Sequence, residues 1–265
     1  MIRRPYLAGE WYPGDKGTTL EQLQAYTQTD QPRKRCIGAI LPHAGWQFSG
    51  RAAGLLLGQT EIPPTVVLVG PNHRGPFTPF ALSSADSWRT PLGDVEVDIQ
   101  MQAAIADNAP LIEYDDDAHA GENSIELIVP FLPFLRPDVR IVPILVAVHQ
   151  YDHLEEFGLA LARTIEGTDT LIIASSDMTH FLNAAAARRQ DALAIQKIEE
   201  LDPVGLHRVV IDNDISMCGM PAAVIMLVAA NQLGATSAEV VCYTNSGETT
   251  GDTEKVVAYA AIRVT

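Results

Sequence analysis

Short apolar runs recur along the chain, separated by polar stretches that carry glycine and proline. The runs at residues 36–41, 65–70, 140–147 and 170–175 are β-rich and apolar almost throughout, as expected of strands covered on both faces. Between and after them lie segments with helical patterning, at 50–58, 99–107, 152–166, 183–200, 203–211 and 219–233. A first helix is predicted up to about Thr27, capped by Thr18 or Thr19 and carrying Leu20 and Leu23. Residues 79–84 and 94–98 read as shorter strands around the loop SWRTPLGD, and 238–244 and 255–263 as closing strands. Residues 123–135 read as a helix that Pro130 and Pro133 kink or cut short. Trp11-Tyr12-Pro13 reads as an irregular lead-in packed on the body. Strands that alternate with helices predict one α/β domain over residues 1–265, with a largely parallel central sheet flanked by helices.

Four of the seven histidines stand where an apolar run ends: His43, His73, His149 and His180. In open α/β sheets, ligands bind beyond the carboxyl ends of parallel strands, so these imidazoles are candidates for one pocket. His43 follows Pro42 into a Gly-containing loop, and either serves a site or only braces that loop. His73 lies in GPNHRG, where Arg74 either meets an anion or is simply solvated. Asp177 and His180, in SSDMTH, read as an acid/base pair, or as a cap and a surface histidine. Cys218 precedes Pro221, which suits a first helical turn; a helix N-terminus there would favour the thiolate, whereas a buried cysteine would be a small hydrophobe.

Other polar residues attract blander readings. His149, His153 and His207 read as helix or surface residues, and Cys36 and Cys242 as core. Tyr114 to Asp117 reads as a solvated loop. Glu122 and Glu126 read as complements to a helix dipole, with Glu122 alternatively an oxygen ligand. The motifs HExxH, GxxxxGK[ST] and GxSxG are absent, so the chemistry rests on convergence. Two imidazoles and one anionic ligand with open positions suit non-haem iron or catalytic zinc, and His43, His73 and Cys218 can supply them.

The 18 Lys and Arg against 33 Asp and Glu give a net charge of -15, which disfavours nucleic acid and anionic membranes as partners. The three cysteines form no CxxC pair, which argues against a disulfide framework. No signal peptide or membrane-spanning run is evident, so a cytoplasmic location is expected.

Eight segments in order, AGEWYPG, PHAGWQFSG, GPNHRG, WRTPLGD, ENSIELIVPFL, SSDMTH, DISMCG and TNSGETTGD, resemble the Memo family, also called AmmeMemoRadiSam system protein B in prokaryotes. The resemblance covers nearly the whole chain. It implies a fold similar to the class III extradiol ring-cleaving dioxygenases, which use non-haem iron. It also implies a metal trio at His43, His73 and Cys218, with Asp177 and His180 as further pocket residues. One departure is Asn123, where the family commonly has histidine; an amide cannot switch charge near neutral pH. His119 lies near enough in sequence to be a substitute. The expected function is a metal-dependent redox enzyme using iron, with copper or zinc as alternatives. A binding or assembly protein acting with AMMECR1-like and radical-SAM partners is the alternative of a different class. A metal-dependent hydrolase is the third. In each, the pocket takes a small-molecule or peptide ligand.

Overall fold

In the computed structural model, residues 1–75 and 78–265 are described, and they form twelve strands and ten helices. The first half contains β1 (Ile2–Arg3), α1 (Lys16–Thr27), β2 (Gly38–Leu41), α2 (Trp46–Gly58), β3 (Thr65–Pro71), β4 (Phe80–Leu82), β5 (Ser87–Thr90), β6 (Gly93–Val97) and α3 (Ile99–Asn108). There follow β7 (Ile112–Tyr114), α4 (Asp116–His119), α5 (Phe131–Leu135), β8 (Arg140–Val146), α6 (Tyr151–Ile165), β9 (Thr170–Ser175) and β10 (His180–Leu182). The chain closes with α7 (Ala184–Glu199), α8 (Pro203–Asp212), α9 (Met220–Gln232), β11 (Ala238–Asn245), α10 (Gly247–Thr250) and β12 (Val256–Val264).

The strands join in one mixed sheet whose centre, in the order β6, β8, β3, β9, β2, is parallel. Beyond β2 the sheet turns antiparallel through β12, which pairs with β11 along its length and with β10 at its start. On the far side, β4 pairs antiparallel with β8, and β5 antiparallel with β6. Alternate residues of the central strands feed two separate cores. Ile40, Val67, Val69, Val142 and Ile172 face α6 and α9. Ala39, Leu41, Val66, Leu68 and Ile173 face α2 and α5. Burial on both faces is why these strands are apolar throughout instead of alternating.

The predicted elements that differ do so for local reasons. Helix α1 is capped by Asp15, whose Oδ1 accepts the Thr18 N–H at 2.9 Å, not by Thr18 or Thr19. Helix α2 begins at Trp46, inside the stretch read as a loop. The segment 123–135 is helical only at Phe131–Leu135, since residues ahead of it form turns. Part of SWRTPLGD is β5, whose Trp88 is buried.

The lead-in does pack on the body. Tyr12 is buried, its ring 5.4 Å from that of Trp46, and the Trp11 carbonyl accepts the Trp46 N–H at 2.8 Å. Glu126 fastens this segment. It pairs with Arg3 at 2.8 Å and accepts the N–H groups of Tyr6 and Leu7. A buried carboxylate needs such partners, which the dipole reading of Glu126 did not supply.

His119 is buried, and one ring nitrogen, Nε2, donates to the Ala81 carbonyl at 3.1 Å. Burial lowers its pKa from 6.5 to about 4. The folded value lies below the unfolded one, so this contribution to stability is complete above pH 6.5 and is lost as pH falls through 4. That is about 3 kcal/mol from a shift of this size. Urea unfolding of wild type and His119→Gln should show the stability gap narrowing by about this amount between pH 7 and pH 4. A gap independent of pH would contradict the assignment.

Candidate metal centre

The parallel neighbours β3, β9 and β2 end on one edge of the sheet. His43 follows β2, His73 follows β3, and Asp177 follows β9. Cys218 reaches the same edge from the turn between α8 and α9. Two close approaches make this convergence feasible. A Cβ on Gly219 would collide with the Ser175 carbonyl, so glycine lets the turn lie against the end of β9. A Cβ on Gly70 would lie 2.7 Å from Ser124 Oγ, so glycine in β3 admits the segment that carries Glu122.

Each imidazole is held by its Nδ1. His43 Nδ1 lies 2.7 Å from Ser175 Oγ, and that hydroxyl donates its proton to the Ser124 carbonyl. Ser175 must therefore accept from His43, which places the proton on Nδ1 and the lone pair on Nε2. His73 Nδ1 lies 2.8 Å from Glu122 Oε1, while the His73 backbone N–H donates to Oε2 at 2.7 Å. A carboxylate only accepts, so His73 also carries its proton on Nδ1. The Cys218 sulfur sits 3.4 Å from His43 Nε2 and accepts the Asp177 N–H at 3.3 Å. One donor atom from each of His43, His73 and Cys218 lies within 4.8 Å of the others.

The donor set fits a transition metal. Donors on a single ion bound at about 2.0–2.3 Å stand roughly 3–4 Å apart, a spacing the sulfur and His43 already have. The residues around the trio tune its charge. Burial pulls the His43 pKa down, with the nearby Asp177 carboxylate offsetting part of the effect. Burial also acts to lower His73, but the hydrogen bond and charge of Glu122 outweigh it and the net shift is upward. Burial acts to raise Glu122, yet its bonds to His73 and Ser124 win and hold it down to about 2. Burial, with Asp177 adding to it, pushes the Cys218 thiol far above the ordinary cysteine range. The sequence reading placed Cys218 correctly ahead of α9, but desolvation overrides the helix terminus and no free thiolate results. A bound cation reverses that balance.

Trp11, Asn123, Asp177 and His180 join His43 and His73 around a cavity of about 270 Å³. His180 donates Nδ1–H to the Ser216 carbonyl at 2.8 Å, which leaves Nε2 as its free nitrogen. Asp177 is buried and accepts the His43 backbone N–H at 2.8 Å. Asn123 lies in the cavity wall, and its amide reaches the His43 carbonyl at 3.4 Å. His119 does not line this cavity; its ring is bound to the Ala81 carbonyl and packed edge-on to Trp88. His149 is exposed, and its carbonyl accepts from His207, outside the cavity. Ser175 and Ser124 were not singled out from sequence; the only available signal was a serine at the very end of an apolar run.

Fold and site define an α/β protein with a His/His/Cys cluster that could hold a metal ion. The family model for Memo-like protein matches residues 3–263, and the chain belongs to the Memo family. A MEMO1 family protein of Aquifex aeolicus is 38% identical over 262 residues, covering 97% of each chain. The MEMO1 family protein MK0963 of Methanopyrus kandleri is 34% identical, covering 99% of this chain and 98% of that one. Among solved structures, an uncharacterized protein JW3007 from Escherichia coli K12 aligns with a TM-score of 0.54 at 15% identity. It covers 84% of this chain and 98% of that chain, a likeness of fold alone. Among the described residues, no helix is long and apolar enough to cross a membrane.

Glu122→Gln removes the charge that supports His73 while keeping its shape. Zinc affinity, measured by competition with a chelating dye, should fall by about 10- to 100-fold. Unchanged affinity would mean that Glu122 does not act through His73.

Proposed function

We propose that the chain is a metal-dependent redox enzyme whose iron is held by His43, His73 and Cys218. One observation carries this reading: both imidazoles are tied at Nδ1, so their free Nε2 atoms are available beside the Cys218 sulfur. Bound iron would supply redox chemistry at the positions that a three-ligand site leaves open. Copper suits imidazole and thiolate as well, and zinc would bind the same donors without redox activity.

The surrounding residues supply proton handling. His180, tied at Nδ1 to Ser216, offers Nε2 in the cavity wall as a base. Asp177 fixes the backbone of His43 and places negative charge beside the ligand cavity. Asn123 can hold a ligand by hydrogen bonds without changing charge. Proton transfer at neutral pH therefore falls to His180 and Asp177.

Anaerobic loading with ferrous iron, followed by elemental analysis, should give about one metal per chain. Cys218→Ala should lose most of it, and Cys36→Ala should retain it. Equal iron in wild type and Cys218→Ala would remove the sulfur from the ligand set. Oxidation of the loaded protein should produce a sulfur-to-iron charge-transfer band missing from Cys218→Ala. A protein that takes up zinc but refuses iron would overturn the redox reading.

The raised thiol pKa sets the pH dependence of loading. Metal must displace the Cys218 proton, so affinity should rise by up to about tenfold per pH unit near neutrality. Cys218→Ala should flatten this dependence, as read by zinc competition at several pH values. A slope unchanged in Cys218→Ala would show that no sulfur proton is released.

A further inference from the structure

Phe181 combines exposure with backbone strain. Its φ is 64°, in the left-handed region that bulky side chains avoid, and it is 65% exposed. It is the residue at which β10 slips register against β12: His180 pairs with Val257 and Leu182 with Val256, leaving Phe181 as the bulge. Bulges of this kind re-aim a side chain, and strain of this kind persists where the surrounding structure enforces it. No core packing accounts for it, since the ring is mostly in solvent.

The ring borders a groove of about 530 Å³ whose walls include Trp11, Phe48 and Tyr259. That volume suits a small organic ligand. Trp11, Ala44 and Val257 line both this groove and the cavity of His43 and His73, so the two spaces adjoin. The charged residues of the groove are Glu10 and Lys255. Lys255 Nζ stands 5.2 Å from the Phe181 ring centre, and the described lysine ion pairs use Lys34 and Lys197 instead. Phe181 thus stands against an ammonium group that has no carboxylate ion-pair partner among the described residues, in an aromatic-walled groove that adjoins the candidate metal centre.

We propose that Phe181 is a specificity-determining residue, and that the groove takes a flat apolar ligand whose anionic substituent is held by Lys255. The inference rests on the metal centre as the place of reaction, and names the class of substrate that reaches it. The apolar body lies between Phe181 and Trp11, and Lys255 sets its orientation. Phe181 is strained because the bulge is needed to bring its ring over the groove.

Calorimetric titration of metal-free protein with 1-naphthoate, and with uncharged 1-naphthalenemethanol, tests this apart from metal binding. Wild type should bind naphthoate saturably and the alcohol more weakly. Phe181→Gly should weaken both by roughly three- to tenfold, the range expected for loss of an aromatic contact. It should also melt at or above the wild-type temperature, because glycine adopts this φ freely. Lys255→Gln should weaken naphthoate and leave the alcohol unchanged. Ile211→Ser, an exposed apolar position elsewhere, should change neither. Absence of saturable binding at millimolar naphthoate, or equal affinity in Phe181→Gly, overturns the proposal. So does a Phe181→Gly protein that melts lower and binds normally, since the ring would then be structural. Iron content measured in parallel keeps the outcomes separate: loss of iron binding in wild type would sink the metal reading alone.

Discussion

A single hydroxyl determines the state of the most buried candidate ligand. Ser175, the last residue of β9, gives its proton to the Ser124 carbonyl, so it can only accept from His43. That fixes the tautomer of a buried imidazole. The same residue is the reason Gly219 must lack a side chain, because its carbonyl occupies the space a Cβ would fill. One strand end therefore sets both the lone pair of His43 and the approach of Cys218. His73 is held independently, by Glu122 on the segment that Gly70 admits. The two supports meet at residues 122–124, which bind His73 from one side and Ser175 from the other.

Burial acts on the three candidate ligands in a consistent direction. It disfavours the charged imidazolium of His43 and the thiolate of Cys218, so these two donors minimise charge, while at the more exposed His73 the bond and charge of Glu122 outweigh it. Glu122 itself is held ionised because it receives hydrogen bonds from His73 and Ser124. A bound cation would reverse the preference at sulfur, and the lone pairs freed on the imidazoles of His43 and His73 would be available to hold it. The location of the thiol at a helix start is a weaker influence than its desolvation. A partial charge at a helix terminus is a fraction of a unit, whereas the cost of a desolvated anion is large.

The central strands were legible because burial on both faces erases polar alternation, leaving apolar runs such as Thr65–Gly70. The helices after β8 were legible for a similar reason, since α6, α7 and α9 have patterned lengths and clear ends. The start of α2 was not, because a glycine N-cap with no side-chain bond gives no signal. Residues 123–135 looked helical by composition, yet Pro130 and Pro133 leave only a short turn of helix. At the site, His43, His73 and Cys218 were legible as endings of runs or neighbours of Pro221. Their supports were not, because a hydrogen bond between Ser175 and Ser124 joins positions that sequence spacing does not relate. Phe181 was hidden for another reason: a bulge depends on register with β12, which a strand pattern does not encode.

Asn123 limits what the cavity wall can do with protons. An amide in the wall can orient a ligand but cannot take up a proton. His180 is the third imidazole in that wall, and its Nδ1 bond to Ser216 commits Nε2 to the acceptor role. The backbone at the next residue is strained, and the ring it carries faces the groove beyond. Adjacent residues of one short strand thus line adjoining spaces, His180 the cavity of His43 and His73, and Phe181 the neighbouring groove. A change that relaxed the bulge would alter both, because the pleat of β10 would no longer separate them.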